Sequence, residues 1–414
     1  MIRRLSLRGV RFNSGATAGL KLSKFDEHYT SIAIDGELHH FKNLFLRDSC
    51  TSEASVDPFS RQKLFSTGDI TQTLNIIDAR VNGDNLEVKW HDGESQSSST
   101  FSKDFLDSHK NLESSLRGKF FHHDRLFWDM KSLKPYLGEL QVDCSDYNST
   151  EGFHSTLDNL NRFGLSFINS IPKPAETTMT EENAYSWPVA QLANKFGYIK
   201  KTFYGTLFDV KNEKEDAKNI ANTNTFLPLH MDLLYYESPP GLQFLHFIEN
   251  STEGGENVFS DSFSAVEFVK SEDMAAYEAL TKFPITFHYD NNGEYYYYTR
   301  PLVVEDPLTG VLQAVNYSPP FQGPFELGTT SDSHQLLFND FLRGLILFES
   351  FVNDPANQYK VKMPEGSCVV FDNRRVLHSR LEFSDANGGD RWLMGCYVDG
   401  DSYRSRLRIR SRSS

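Results

Sequence analysis

Cysteine is scarce in this chain. Four of its 414 residues are cysteines, and no two of them form a C-x-x-C pair: Cys50, Cys144, Cys368 and Cys396. This scarcity argues against a disulfide scaffold and against a conventional zinc site, and it suits a reducing compartment. Long apolar runs are missing as well, since none approaches the roughly 18–20 residues that a membrane-spanning helix needs. We therefore expect no membrane span.

Basic charge is also in short supply. The chain has 42 Lys and Arg against 56 Asp and Glu, which gives a net charge of −14. A general nucleic-acid binder needs a basic field to neutralise phosphates, so this balance predicts that nucleic acid is not a partner. A cationic small molecule remains compatible with it. The length favours more than one domain.

The N-terminal end departs from the acidic trend. The first acid is Asp26, and four arginines alternate with apolar residues before it: Arg3, Arg4, Arg8 and Arg11. An Arg-rich, acid-free, amphipathic leader is typical of a mitochondrial transit peptide. We expect residues 1–18 to be such a peptide and the protein to function in the mitochondrial matrix. An accidentally basic terminus is the alternative.

The rest of the chain divides into a β-rich part and a mixed part. Three short segments with strand character, Tyr29–Ile34, Leu74–Val81 and Leu86–Trp90, predict a small β-rich domain over residues 19–118. A connector is expected over 119–150. From 151 to 414, apolar spacing predicts helices over three segments: Ser155–Phe163, Ala184–Lys200 and Ala265–Leu280. Gly241–Ile248 and Ser367–Phe371 are apolar runs of the kind found in buried strands.

The tripeptide His230-Met231-Asp232 is the first candidate for chemistry. Residues two apart in a strand point to the same face, so this imidazole and this carboxylate can converge on one metal ion. Two histidines and one carboxylate on one face of iron leave positions for a keto acid and O₂. Alone, such a tripeptide is expected about once by chance in a chain of this length. An incidental role is therefore equally compatible with it.

A second segment supplies the missing ligand type. Residues 364–380 read as a turn, a buried strand, a second turn and then His378. A histidine from a distant strand is what a two-histidine, one-carboxylate site still requires. Arg391 follows on the next predicted strand. Its planar guanidinium suits the distal carboxylate of a 2-oxo diacid.

These residues lie within longer stretches that resemble a known family. The stretches are Tyr204-Gly205, Asn219, His230-Met231-Asp232, Ser238-Pro239-Pro240-Gly241-Leu242-Gln243, Gly254-Gly255-Glu256 and Phe371-Asp372-Asn373-Arg374-Arg375-Val376-Leu377-His378. In them the chain resembles the γ-butyrobetaine and trimethyllysine dioxygenases of carnitine biosynthesis, within the wider taurine-dioxygenase-like oxygenases. It looks like a fungal-type mitochondrial member, and the similarity covers most of the chain after the leader.

The resemblance implies a fold and a cofactor set. The fold is α+β, mainly β with flanking helices: a double-stranded β-helix (jelly-roll) catalytic domain over 151–414, preceded by the small β-rich domain. Fe(II) would be bound by the catalytic residues His230, Asp232 and His378. The cosubstrate 2-oxoglutarate would be bound by Arg391 and Asn257, with O₂ as the oxidant. For Asn257, a turn residue that serves its own backbone is the alternative.

The resemblance also implies a substrate site. Five positions align with residues that surround the substrate in the family: Tyr204, Phe208, Asn219, Asn222 and Tyr397. Three of them are aromatic, as a trimethylammonium group prefers, whereas Asn222 replaces an aromatic residue and Leu233 replaces a tyrosine. Ordinary core aromatics are the alternative for the rings.

The small N-terminal domain departs from the family pattern. It binds zinc in the family through three cysteines and a histidine, and here these positions are Cys50, Ser52, Ser55 and Glu94. One thiolate with two hydroxyls does not make a usual structural zinc site. We therefore expect zinc to be absent.

The sequence thus predicts an Fe(II)- and 2-oxoglutarate-dependent dioxygenase that hydroxylates a small substrate such as γ-butyrobetaine. Trimethyllysine, or another small acid, is the alternative substrate. A different class also remains open, a catalytically inactive jelly-roll protein that serves as an interaction partner in mitochondria. The sequence leaves a homodimer open.

Overall fold

The computed structural model describes residues 19–93, 95–211, 226–326, 331–384, 386 and 388–412. These form two compact units, one that ends at Phe121 and one that begins at His122. The predicted leader, Glu94, Asn219 and Asn222 lie outside the described residues. Within the described ranges, no helix combines the length and the apolar character that a membrane crossing requires.

The first unit contains two three-stranded antiparallel sheets. Their strands are β1 (Leu20–Phe25), β2 (Tyr29–Ile34), β3 (Glu37–Lys42), β4 (Asn75–Asn82), β5 (Asn85–Asp92) and β6 (Ser95–Ser102). The helices of this unit are α1 (Asn43–Asp48), α2 (Lys103–His109) and α3 (Leu112–Phe120). Strand β5 alternates, so Leu86, Val88 and Trp90 are buried in the core of the unit. The three predicted strand segments of this part are confirmed to within a residue or two.

The second unit is larger and mixes strands with helices. Its helices are α4 (Met130–Leu133), α5 (Cys144–Tyr147), α6 (Thr150–Phe163), α7 (Pro188–Asn194), α8 (Ser262–Glu272), α9 (Met274–Leu280), α10 (Asp332–Asn353) and α11 (Gly400–Ser411). Its longer strands are β7 (Gln141–Asp143), β8 (Leu165–Asn169), β9 (Phe208–Lys211), β10 (Leu227–His230), β11 (Leu242–Asn250), β13 (Asn257–Asp261), β14 (Ile285–Asn291), β15 (Glu294–Arg300), β16 (Val303–Glu305), β17 (Leu312–Val315), β18 (Tyr359–Val361), β19 (Ser367–Asp372), β20 (Val376–Arg380) and β22 (Arg391–Val398). Two-residue strands β12 (Glu253–Gly254) and β21 (Phe383–Ser384) pair with each other.

Two sheets of the second unit form the predicted jelly roll. The six-stranded sheet has the order β7-β8-β19-β11-β22-β9, and the four-stranded sheet has the order β10-β20-β13-β18. Phe247 and Leu393 of the first sheet share one core cluster with Phe259 of the second. The α+β fold expected from the resemblance is thereby confirmed. The stretch expected as a connector instead contributes α4, α5 and β7, and β7 pairs with β8 at the edge of the larger sheet.

Two predicted helices are shorter than the apolar spacing suggested. The helix expected over Ala184–Lys200 is α7, which begins at Pro188, because proline lacks the N–H that a helix interior requires. The helix expected over Ala265–Leu280 is interrupted at Asp273, whose backbone is extended. The Asp273 side chain accepts a hydrogen bond from the backbone N–H of Ala276 at 3.0 Å and so begins a second helix.

A buried ion pair connects several elements of this unit. Arg375 and Asp261 are 2% and 0% exposed, and the guanidinium donates to both carboxylate oxygens, at 3.0 and 2.7 Å. Arg375 also donates to the backbone carbonyls of Leu126 and Arg162. The pair thus links β13 and the turn before β20 to α6 and to the segment that precedes α4.

Candidate metal and cosubstrate site

The three predicted metal ligands are brought together by pairing of β10 with β20. His230 lies opposite His378 in the register, and their ring centroids are 4.2 Å apart. Asp232 follows just beyond the end of β10, with Oδ1 3.2 Å from Nε2 of His230. One ligand atom from each of the three residues lies within 4.8 Å of the other two. Strand pairing thus places two imidazoles and a carboxylate on one side of a small space.

Neighbouring groups fix the orientation of these side chains. The Nδ1–H of His230 donates to the carbonyl of Pro228 at 2.8 Å, so Nε2 is the ring nitrogen that faces Asp232. The hydroxyl of Tyr397 donates to Oδ2 of Asp232 at 2.7 Å. The Asn373 side chain accepts from the backbone N–H of Asp232 at 2.9 Å and donates to its carbonyl at 3.0 Å. Neither supporting role was predicted from the sequence, although Asn373 stands within the matching stretch.

The electrostatics favour the protonation forms that bind a divalent cation. Burial raises the pKa of Asp232, but the hydrogen bond with His230, the largest opposing effect, holds the pKa below its usual value. Burial lowers the pKa of His378 to about 3, so this imidazole is neutral at pH 7. Its Nδ1 is buried and has no hydrogen-bond partner in the described part of the chain. A carboxylate, two imidazoles and an unsatisfied buried nitrogen fit Fe(II).

The triad lies in the wall of a cavity of about 500 Å³ between the two sheets. The four-stranded sheet contributes His230 and His378, and two residues further along the same face it contributes Arg380. The six-stranded sheet contributes side chains from alternate positions of β11 and β22: Gln243, Leu245, Arg391, Leu393 and Tyr397. The alternation follows from the strand period of two.

One end of the cavity is cationic. Arg391 is 7% exposed, and its Nε has no hydrogen-bond partner among the residues that the structure describes. Asn257 also lines this end, and its buried Nδ2 likewise lacks a partner there. Asn257 pairs across the sheet with Arg380, a second buried cation that the sequence analysis did not identify. These groups fit the carboxylate of a diacid.

The other predicted substrate residues form an aromatic part of the same cavity. Tyr204, Phe208 and Tyr397 all line it, and the rings of Phe208 and Tyr397 stack with centroids 4.9 Å apart. Phe208 lies opposite Gly395 in the β9–β22 pairing, and a Cβ on Gly395 would lie 2.2 Å from Cζ of Phe208. The absence of a side chain at Gly395 therefore gives the Phe208 ring its position.

Further rings that the sequence analysis missed extend this aromatic wall. Phe203, Tyr235, Tyr289 and Phe321 line the cavity, and Tyr289 belongs to the β14–β15 hairpin. Tyr235 and Tyr289 stack with centroids 5.5 Å apart. Nothing local in the sequence of this hairpin indicates that Tyr289 lines the same cavity as the three predicted metal ligands.

The altered zinc positions of the first unit contact one another directly. The thiol of Cys50 lies 3.2 Å from the hydroxyl of Ser52, and that hydroxyl donates to Ser55 at 3.4 Å. Cys50 is 2% exposed. These hydrogen bonds satisfy polar groups at the positions where the family has metal ligands, and the absence of zinc stays a prediction.

Comparison with known proteins agrees with this architecture. Residues 129–397 match the family described as Taurine catabolism dioxygenase TauD, TfdA family, and residues 24–107 match Gamma-butyrobetaine hydroxylase-like, N-terminal. The chain is 37% identical to Dioxygenase str8 of Strobilurus tenacellus, over 88% of this chain and 84% of the relative. It is 31% identical to a Saccharomyces cerevisiae protein named "Probable oxidoreductase AIM17", over 89% and 84%.

A third relative is Gamma-butyrobetaine dioxygenase of Pseudomonas sp. (strain AK-1), 30% identical over 91% of this chain and 92% of the relative. The family match covers most of the second unit, where the two sheets, the triad and the cavity lie. The chain belongs to the TauD/TfdA family of Fe(II)- and 2-oxoglutarate-dependent oxygenases.

Proposed function

We propose that this protein is a dioxygenase that uses Fe(II), 2-oxoglutarate and O₂ to hydroxylate a small trimethylammonium acid such as γ-butyrobetaine. The observation that carries the proposal is the order of groups along one cavity. Along β22, Arg391 stands at the start of the strand and Tyr397 six residues later, and the His230–Asp232–His378 triad lines the same cavity. This order suits an anionic cosubstrate on one side of the metal and a cationic group on the other.

Each part of the cavity has a distinct task in this proposal. His230, Asp232 and His378 would hold the iron, which when bound supplies the activation of O₂ for C–H hydroxylation. Tyr397 keeps its proton, since burial and the neighbouring Asp232 raise its pKa far above the usual value. It therefore donates to Asp232 and fixes the direction of that carboxylate. Arg391 and Asn257 would bind the distal carboxylate of 2-oxoglutarate.

The aromatic residues would bind the quaternary ammonium. Tyr204, Phe208 and Tyr397 present rings to the cavity, and each ring adds roughly 0.5–2 kcal/mol of cation–π attraction when it contacts a cation. On the resemblance alone, Asn222 is proposed to occupy the fourth position around the ammonium group and Asn219 to contact the substrate carboxylate. The Arg-rich leader supports a mitochondrial location for the reaction.

Turnover with candidate substrates tests the proposal. Purified protein with Fe(II) and labelled 2-oxoglutarate is expected to release CO₂ in proportion to hydroxylated γ-butyrobetaine, detected by mass spectrometry. His378→Ala should abolish both products while the thermal unfolding midpoint shows that the domain is folded. His246→Leu, which removes a buried imidazole outside the cavity, should keep turnover. Retained turnover in His378→Ala would contradict the triad assignment.

The same assay separates the alternatives. Relatives at 37% and 31% identity carry names that state no substrate, so an oxygenase of another small acid is the second candidate. Trimethyllysine and a panel of small betaines and acids therefore belong in the screen. If the chain is an inactive interaction protein, none of these compounds should lead to decarboxylation of 2-oxoglutarate.

A further inference from the structure

Arg380 lines the cavity but is not among the residues proposed above to bind 2-oxoglutarate. It lies two residues after His378 in β20, and side chains two apart in a strand share a face. Arg380 is 4% exposed and lines the same cavity as the triad. Across the sheet it is paired with Asn257 on one side and with Leu227 on the other. One strand thus presents a metal ligand and a buried cation to the same space.

Arg380 and Arg391 approach each other from opposite sheets. Both guanidinium groups lie over the ring of Phe383, at 4.9 and 5.5 Å from its centroid. Burial, and then the charge of Arg380, lowers the pKa of Arg391 to about 9, so both groups remain cationic at pH 7. Arg391 has no ion-pair partner within the described ranges. A buried guanidinium without a counter-charge, as at Arg391, suits an anionic ligand.

The spacing along the strand matches a short diacid. Two residues advance a strand by about 6.6–6.8 Å. The row of Arg380 and Asn257 is therefore one such step from the row of His230 and His378. A five-carbon 2-oxo diacid whose keto end lies at the triad extends by about this step, so its far carboxylate reaches the Arg380 row.

We propose that Arg380 is a second positioning residue for the cosubstrate, and that with Arg391 and the amide of Asn257 it selects a 2-oxo acid that carries a distal carboxylate. This inference rests on the proposed function. Arg391 reaches the carboxylate from the six-stranded sheet, and Arg380 reaches it from the strand that bears His378. Two guanidiniums on different sheets fix both the position and the direction of the chain between the carboxylates.

The test compares two acids that differ only at the far end. The dissociation constants of 2-oxoglutarate and 2-oxopentanoate, which has a methyl group in place of the distal carboxylate, are measured by calorimetry with Mn(II) and without O₂. Arg380→Gln should weaken 2-oxoglutarate by about tenfold or more, the usual size of a lost charge-assisted hydrogen bond. It should leave 2-oxopentanoate within about threefold of wild type. Arg380→Lys, which keeps the charge, should be intermediate.

One control variant and three possible outcomes test the role of Arg380. Arg125→Gln removes a half-buried arginine that does not line the cavity and should change neither constant. Equal losses for both acids in Arg380→Gln would show that Arg380 acts only through the fold. An unchanged preference for 2-oxoglutarate would overturn the inference while the proposed function stands. A wild-type protein that binds neither acid would reject both.

Discussion

At the residue scale, Asn373 is the side chain that connects Asp232, a proposed metal ligand, to the rest of the domain. It is fully buried, and it bonds the backbone of Asp232 on both sides and the carbonyl of Pro240 at 3.2 Å. Leu233, the residue after Asp232, has φ +58°, a conformation that costs about 1 kcal/mol or more for a branched residue. The amide of Asn373 thus keeps a strained turn in place at the site.

Asn373→Ala should weaken metal binding as well as the fold. Loss of the amide leaves three backbone groups, one buried and two part-buried, without their partner, so we expect the free energy of unfolding to fall by about 2–3 kcal/mol. Loss of a group that orients a ligand typically lowers metal affinity by about 10–100-fold. Co(II) titration followed by absorption measures the second effect directly.

A second buried asparagine provides the control for this experiment. Asn159 is 6% exposed and donates to the carbonyl of Glu139 at 2.8 Å, on α6 and away from the cavity. Asn159→Ala should lose stability but keep the Co(II) affinity of the wild type. If both variants bind Co(II) alike, Asn373 has only a structural role.

At the element scale, the pairing of β9 with β22 decides where the aromatic site begins. Gly395→Ala adds a methyl group where Cζ of Phe208 would be 2.2 Å away, so the ring must move out of its stack with Tyr397. We expect the KM for the substrate to rise several-fold while the affinity for 2-oxoglutarate is unchanged. Gly138→Ala is the control, because a Cβ there meets nothing within 4 Å. An unaltered KM would mean that Phe208 does not contact the substrate.

The Asp261–Arg375 pair is the element-scale feature with the largest expected effect on stability. Arg375→Met would leave the fully buried carboxylate of Asp261 with backbone donors from Trp128 and Phe263 but no counter-charge. Removal of one partner of a buried pair typically costs about 3–5 kcal/mol. Urea unfolding at pH 7 should show a loss in this range. A loss below about 1 kcal/mol would show that the site relaxes and admits water.

Particular residues show what could be predicted from the sequence. The alternation of β5 and the buried run of β19 follow from local patterning, whereas His230 and His378 needed the resemblance, because they are 148 positions apart in the numbering. The position of Arg380 could have been predicted, since the strand period of two places it on the same face as His378. The position of Tyr289 in the cavity wall could not, because it depends on how a hairpin packs against distant strands.

At the scale of the whole molecule, two buried histidines make the fold sensitive to acid. His246 is 1% exposed, and neither ring nitrogen has a hydrogen-bond partner within the part of the chain that the structure describes. Burial lowers the pKa of His246 to about 4, and burial followed by His230 lowers that of His378 to about 3. A histidine in the unfolded chain has a pKa of about 6.5. Below this pH the unfolded state therefore binds more protons than the native state.

The free energy of unfolding should consequently fall as the pH is lowered from about 6.5 to 4. Each fall of one pH unit lowers the free energy of unfolding by about 1.4 kcal/mol per histidine. His246 alone therefore accounts for a loss of about 3 kcal/mol between pH of about 6.5 and pH 4. His246→Leu replaces an imidazole without partners by an apolar side chain and should match or exceed wild-type stability at pH 7. Its loss of stability by pH 4 should be smaller than that of the wild type by about this amount. Urea unfolding of chelator-treated protein at pH 7, 6, 5 and 4 measures both curves, and parallel curves would show that His246 does not titrate on unfolding.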